Sequence, residues 1–227
     1  MQTIDTTFPG EGRTLNAYYA APDGPGPFPG VLVIHEAFGL NDNIRDITRR
    51  FAAQAYAALA VDLFSHRNMV ICMFRLFSAM RKDSLEHEGI RDLKAALTHL
   101  AAQPGVDGDH LGAVGYCLGG GLAIALACAD SRLKAIAPYY GANPRPPDAV
   151  ARACPVVGSY PEKDFSTAQG LELEAALTRA GIEHDIKVYP GAKHSFFNDT
   201  SHRSYNPEAA ADSWERVLAF FEQHVKP

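Results

Sequence analysis

The chain has 227 residues, enough for one α/β domain with a filled core and short for two. Hydrophobic residues make up 47%, an ordinary globular composition that needs no special scaffold. The formal net charge of −5, with no run of Lys or Arg to offset it, argues against nucleic acid or an anionic membrane as the main partner.

The first thirteen residues, MQTIDTTFPGEGR, carry an acid early and no apolar stretch, so they do not read as a secretion signal. Gly10-Glu11-Gly12 is placed to turn a hairpin ahead of a strand from Leu15 to Ala21. Residues 23–30 alternate Pro and Gly as a loop. Val31–Ile34 is an unbroken apolar run, the pattern of a central parallel strand covered on both faces. A helix is expected over 43–54 and a strand over 57–61.

The next segment breaks the alternation. Met69, Met73, Phe77 and Met80 recur at helical spacing, which predicts one apolar face. Such a helix either fills core space or caps the active-site mouth. Residues 64–82 are therefore a candidate cap on an otherwise single domain, 1–227. An amphipathic helix over 84–103 places Ile90, Leu93, Leu97 and Leu100 on one face. A strand at 111–115 and an Ala-rich helix at 118–129 follow. This stretch is free of charge, but Gly112, Gly115, Gly119, Gly120 and Gly121 suit a buried strand, a tight turn and a close-packed helix rather than a bilayer span. Strands are expected at 135–140, 156–160 and 186–189, and helices at 167–180 and 207–224. This alternation gives an α/β fold, with a mostly parallel central sheet and helices on both faces.

Gly115-Tyr-Cys-Leu-Gly119, followed by Gly120 and Gly121, sits between an apolar strand and a helix, the context of a nucleophile elbow. A nucleophile on so sharp a turn leaves no room for bulky neighbours, hence the glycines. The helix that begins there aims free N–H groups and its positive dipole end at Cys117. That arrangement is expected to lower the thiol pKa and to offer the Leu118 N–H to a developing oxyanion. A nucleophile needs a base, and the base an orienting acid. His194 follows the last strand and Asp164 the one before it, in the order nucleophile, acid, histidine. Glu162 is the alternative acid and His202 the alternative base. His87, His99, His110, His184 and His224 lie in helical or terminal polar contexts and are expected at the surface. Cys72, Cys117, Cys128 and Cys154 have no paired or ligand spacing, so reduced thiols, no metal site and a cytoplasmic location are expected.

Three segments carry a family resemblance: His35-Glu-Ala-Phe-Gly-Leu40, Gly115-Tyr-Cys-Leu-Gly-Gly120 and Pro190-Gly-Ala-Lys-His-Ser-Phe196. In order and spacing, across nearly the whole chain, they resemble the dienelactone hydrolase family. The resemblance implies an α/β-hydrolase fold and a Cys117 nucleophile with His194 and Asp164, acting on a small-molecule ester or lactone. No cofactor is expected, and the chain is expected as a monomer or small homo-oligomer. It further implies that Glu36 interacts with Cys117 and helps form the thiolate. Two anions side by side repel, so that pair makes sense only if it shares one proton. By the same resemblance Ala37 supplies the second oxyanion N–H. Family members acting on dienelactone hold the substrate carboxylate with two arginines. Arg75 and Arg81 are the candidates for the first. The second position, four residues after His194, is Asn198 here, with Arg203 as the nearest replacement. The departure favours a general carboxylic ester over dienelactone. Two other readings of the same residues are a ligand-binding protein without turnover and a redox-responsive protein using Cys117.

Overall fold

In a computed structural model describing residues 1–227, the apolar runs become eight strands of a single sheet. The strands are β1 (Gln2–Pro9), β2 (Thr14–Ala21), β3 (Phe28–Ile34), β4 (Ala57–Val61), β5 (Val106–Tyr116), β6 (Leu133–Tyr139), β7 (Val156–Pro161) and β8 (His184–Tyr189). Their order is β1-β2-β4-β3-β5-β6-β7-β8, antiparallel where β2 meets β1 and β4 and parallel from β4 through β8. The helices are α1 (Asp42–Ala53), α2 (Met69–Lys82), α3 (Glu88–Ala101), α4 (Leu118–Ala129), α5 (Phe165–Ala180) and α6 (Pro207–His224). A 3-10 segment, Pro147–Arg152, was not foreseen from the periodicity. The topology is that of the α/β-hydrolase fold. No helix is long and apolar enough to cross a membrane.

The unbroken apolar run in β3 has a simple cause. Val31 and Val33 enter one core and Leu32 and Ile34 the other, so each face of the strand is dry. α3, α4 and α5 cover one face through Leu93, Leu122 and Leu173. α1 and α6 cover the other through Phe51 and Phe221.

Three expectations are corrected. The helix expected over 84–103 begins at Glu88, because Nδ1 of His87 accepts from the Gly89 N–H at 3.1 Å and caps it. His87 is therefore buried, not solvated. In α2 the buried stripe is Cys72, Leu76 and Met80, at i, i+4 and i+8. Met69 and Phe77, assigned to the apolar face from their spacing, are 42% and 41% exposed. The helix is apolar on more than one side, so the spacing found the core only at Met80, which is buried, and Met73, which packs against it.

The chemistry-bearing loops share one edge. His35 and Glu36 follow β3, Cys117 follows β5, Asp164 follows β7 and His194 follows β8. All four leave the carboxyl ends of parallel strands, where open α/β sheets gather their ligands.

Candidate active site

Cys117 sits between β5 and α4 with φ 54° and ψ −113°, a left-handed conformation that costs a non-glycine residue about 1–3 kcal/mol. The surrounding backbone enforces it. A Cβ on Gly115 would lie 2.0 Å from the Gly119 carbonyl oxygen, and one on Gly119 would lie 2.3 Å from that of Ile34. Tyr140 and Ser195 also have positive φ and flank the same site.

The backbone N–H groups of Leu118 and Ala37 face the Cys117 sulfur and act to lower its pKa. Two N–H groups facing one sulfur are the kind of arrangement that can hold an oxyanion. They do not bring the thiol pKa below its ordinary value as expected. Burial pushes it up, the Glu36 and Asp164 carboxylates push the same way, and the two N–H donors only partly offset them, leaving it at about 11. The resting thiol is protonated at neutral pH.

Glu36 is buried, and its carboxylate makes no hydrogen bond to the thiol. Oε1 accepts from the hydroxyls of Ser195 at 2.8 Å and Tyr140 at 3.3 Å, and Oε2 from the Asn198 side-chain amide at 3.2 Å. Asn198, assigned above to the substrate side, thus faces Glu36. The backbone of this loop is pinned by His35, which is fully buried. Its Nε2 accepts from the Leu63 N–H at 3.0 Å, so Nδ1 carries the proton and donates to the Glu36 carbonyl at 2.5 Å. Burial holds the imidazole below its ordinary pKa, consistent with this neutral tautomer.

His194 Nδ1 lies 2.7 Å from Asp164 Oδ2, leaving Nε2 unpartnered. Its ring packs between Tyr140 (centroids 4.9 Å apart) and Phe165 (4.9 Å, stacked). Both residues line the cavity that contains Cys117, so the imidazole is held at that cavity's wall. Asp164 also caps α5, accepting from the Ser166 N–H and hydroxyl. Burial alone would raise its carboxyl pKa, but the hydrogen bonds from Ser166 and His194 outweigh it and hold the group below the usual value. The two alternatives lie elsewhere. Glu162 accepts from the Gly191 N–H at 3.1 Å, and His202 is exposed.

The cavity at Cys117 measures about 200 Å³ and is lined by Phe77, Met80, Arg81, Tyr140, Arg145 and Phe165 among others. Arg81 is one of the two arginines expected here. Arg75 is not brought to the site: its guanidinium bonds Glu88 Oε2 at 3.1 Å on the outer side of α2, and its side chain is 60% exposed. Arg203 does not line the cavity either. Arg145 does, from the loop after β6, and sequence reasoning missed it because nothing local marks that loop. Tyr140 and Ser195 were missed for the same reason. Ser166, two residues beyond Asp164, belongs to a readable N-cap pattern.

Comparison with known proteins identifies the family. The dienelactone hydrolase family matches residues 15–225. Two relatives share the name "Putative carboxymethylenebutenolidase". The one from Yersinia pestis is 36% identical over 97% of this chain and 88% of its own length. The one from Saccharolobus solfataricus is 33% identical over 95% and 96%. A crystal structure titled "Putative Dienelactone Hydrolase", from Klebsiella pneumoniae, superposes with a TM-score of 0.85 at 31% identity, covering 98% of this chain and 99% of that one. The chain belongs to the dienelactone hydrolase family and is a hydrolase of that type.

Proposed function

We propose that the chain hydrolyses a small carboxylic ester or lactone through a thioester on Cys117, with His194 as base and Asp164 as its orienting acid. The observation that carries this reading is the Asp164–His194 pair, held by Tyr140 and Phe165 at the wall of the Cys117 cavity.

The chemistry follows from the proton positions. With a thiol pKa of about 11, the nucleophile is generated during attack. Nε2 of His194 takes the thiol proton while sulfur adds to the carbonyl carbon, and the carbonyl oxygen becomes an oxyanion held by the Ala37 and Leu118 N–H groups. Collapse expels the alkoxide or enolate, which takes the proton from His194 and leaves the acyl group on sulfur. Water then gives a proton to His194 as its oxygen attacks the thioester. The second oxyanion collapses, the acid departs, and the sulfur recovers its proton. Asp164 fixes the imidazole tautomer and stabilises the imidazolium in both halves. Glu36 controls the thiol's proton by its charge: in the empty site it disfavours a second anion. Thiolate is a good leaving group, which suits esters, lactones and thioesters better than amides.

Arg81 and Arg145 line the cavity with no carboxylate among the residues beside them. This favours a substrate that is itself anionic, with Arg145 in the role the missing arginine at position 198 left open. α2, through Phe77, Met80 and Arg81, then serves as one wall and cap of the site. A low-pKa redox thiol is disfavoured by the raised value at Cys117.

The test is turnover of p-nitrophenyl acetate and capture of the acyl-cysteine by mass spectrometry after rapid acid quench. Turnover and a label on Cys117 are expected in the native protein, and neither in Cys117→Ala. Turnover surviving that substitution would sink the assignment.

A further inference from the structure

Phe165 is the most exposed of the large apolar side chains, at 70%, and it belongs to none of the hydrophobic cores. The start of α5 does not require it. Asp164 and Thr167 already form a reciprocal capping box there, and the first turn of a helix is served by proline or an acid rather than by an aromatic ring. What Phe165 does touch is the candidate base. Its ring stacks on the His194 imidazole, with centroids 4.9 Å apart and planes 29° from parallel. That contact uses one face of the ring, and the exposure leaves much of the remainder open. The same side chain lines the cavity that contains Cys117.

The two aromatic neighbours of the imidazole differ. Tyr140 is buried and its hydroxyl is committed to Glu36, so that side is closed. Phe165 is the side that meets solvent. A base that delivers its proton from Nε2 to the leaving oxygen brings the atoms attached to that oxygen within a bond or two of the imidazole edge. Space for them is found beside Phe165 and not beside Tyr140. Phe77 of α2 lines the same cavity, is 41% exposed and likewise lies outside the cores. Two open phenyl rings in the wall of a cavity of about 200 Å³ suit a flat ring, since an apolar cavity of about 150 Å³ already admits benzene. A second cavity of about 700 Å³, between α5 and the Pro147–Arg152 segment, shares Asn143, Arg145 and Gln169 with the first but has no aromatic residue in its wall. Of the two, only the one at Cys117 offers stacking.

We propose that Phe165 sets the leaving-group specificity of the site, selecting esters whose alcohol half is a flat aromatic ring, with Phe77 contributing from α2. In the step that expels this half, the bond between the carbonyl carbon and the aryl oxygen breaks. The oxygen takes the Nε2 proton of His194, a neutral phenol departs past Phe165, and the acyl half stays on Cys117. This rests on the ester-hydrolase reading above and deepens it to the alcohol side of the substrate.

The experiment compares phenyl acetate with a fluoroalkyl acetate of matched alcohol acidity, each kcat/KM divided by that ester's rate of alkaline hydrolysis. The aryl ester is expected to lead by about fivefold or more, the scale of an offset-stacked ring pair plus the area the ring buries. Phe165→Leu, at an exposed position, should remove most of that lead, and Phe165→Trp should keep it. A ring that only braces His194 would slow both esters alike in Phe165→Leu and leave their ratio unchanged, which overturns the proposal. So does a lead that appears only when the ring is moved to the acyl half, in the fluoroalkyl benzoate. An NMR titration with phenol and with cyclohexanol, which are of similar size, reads the site without turnover. Phenol should bind the tighter, and Phe165→Leu should abolish the difference. That result with no ester turned over would sink the hydrolase reading and leave the aromatic site in place. Equal normalised rates for the two acetates, with phenol bound no better than cyclohexanol, overturn the proposal and leave the hydrolase reading standing.

Discussion

Oδ2 of Asp164 serves two partners at once: it lies 2.7 Å from Nδ1 of His194 and caps α5 through the N–H of Ser166. One carboxylate therefore fixes both the His194 imidazole and the start of a helix, and substitution can separate the two duties. Asn is as good an N-cap as Asp but cannot stabilise an imidazolium by charge. Asp164→Asn should keep stability within about 0.5 kcal/mol while kcat/KM falls by about 10³–10⁴. Asp164→Ala should lose activity and also about 1 kcal/mol of stability. Urea melts beside ester kinetics read both; equal stability losses in the two variants would contradict the double role.

The thiol of Cys117, with a pKa of about 11, should be alkylated slowly at neutral pH. Because the raised pKa favours the neutral form, the thiolate fraction grows about tenfold per pH unit until pH approaches 11. Rates with iodoacetamide between pH 7 and 10 should follow that slope. Glu36→Gln removes a charge that pushes the pKa up, so its rate at pH 7 should exceed the native rate. A plateau reached below pH 8 in the native protein would contradict the assignment.

His35 is buried and neutral, its folded pKa held below the ordinary value by burial. For a base with a depressed folded pKa, the stabilising contribution is complete above the unfolded value of about 6.5 and fades as pH falls below it. Native thermal stability should therefore decline between about pH 6.5 and 5. In His35→Asn the decline should be shallower, with stability at pH 8 lower by about 1–3 kcal/mol for the lost buried hydrogen bonds. Parallel acid slopes in the two proteins would place the titration elsewhere.

Gly119→Ala should be among the most damaging small substitutions in the chain. The added methyl would meet the Ile34 and His35 carbonyl oxygens at 2.3 and 2.6 Å, and backbone cannot step aside as a flexible side chain can. A loss of about 3 kcal/mol or more is expected, read as soluble yield and melting temperature. Gly12→Ala has open space around it and is a contrasting control: strain from its φ of 65° is its only cost.

The parts of this molecule written locally were legible from the sequence. The start of α4 at Leu118 follows from the glycines that crowd the turn at Cys117, and the sheet follows from apolar runs such as Val31–Ile34. The pairing of Asp164 with His194 follows from the order in which strands end. What failed was long-range. Ser195 looked like a bystander to His194, and Asn198 was read as a substrate-side position, until the β3 loop brought Glu36 between them. Arg145 sits in an irregular stretch and reaches the cavity only because Ser84 ties its backbone down. Arg75 and Arg81 looked equivalent, yet six residues of helix turn them to different sides of α2.

α5 begins at the residue after Asp164, so its axis has a fixed origin at the Asp164–His194 pair. Phe165 and Gln169 face the small cavity, and Gln169, Glu172, Ala176 and Arg179 face the large one. These steps of three and four residues lie along one side of a helix that rises about 1.5 Å per residue, so Arg179 stands about 21 Å along the axis from Phe165. The helix works as a ruler whose zero mark is the carboxylate that holds His194. A bulky residue at any chosen turn would close the large cavity from that point on, turn by turn, without moving the zero.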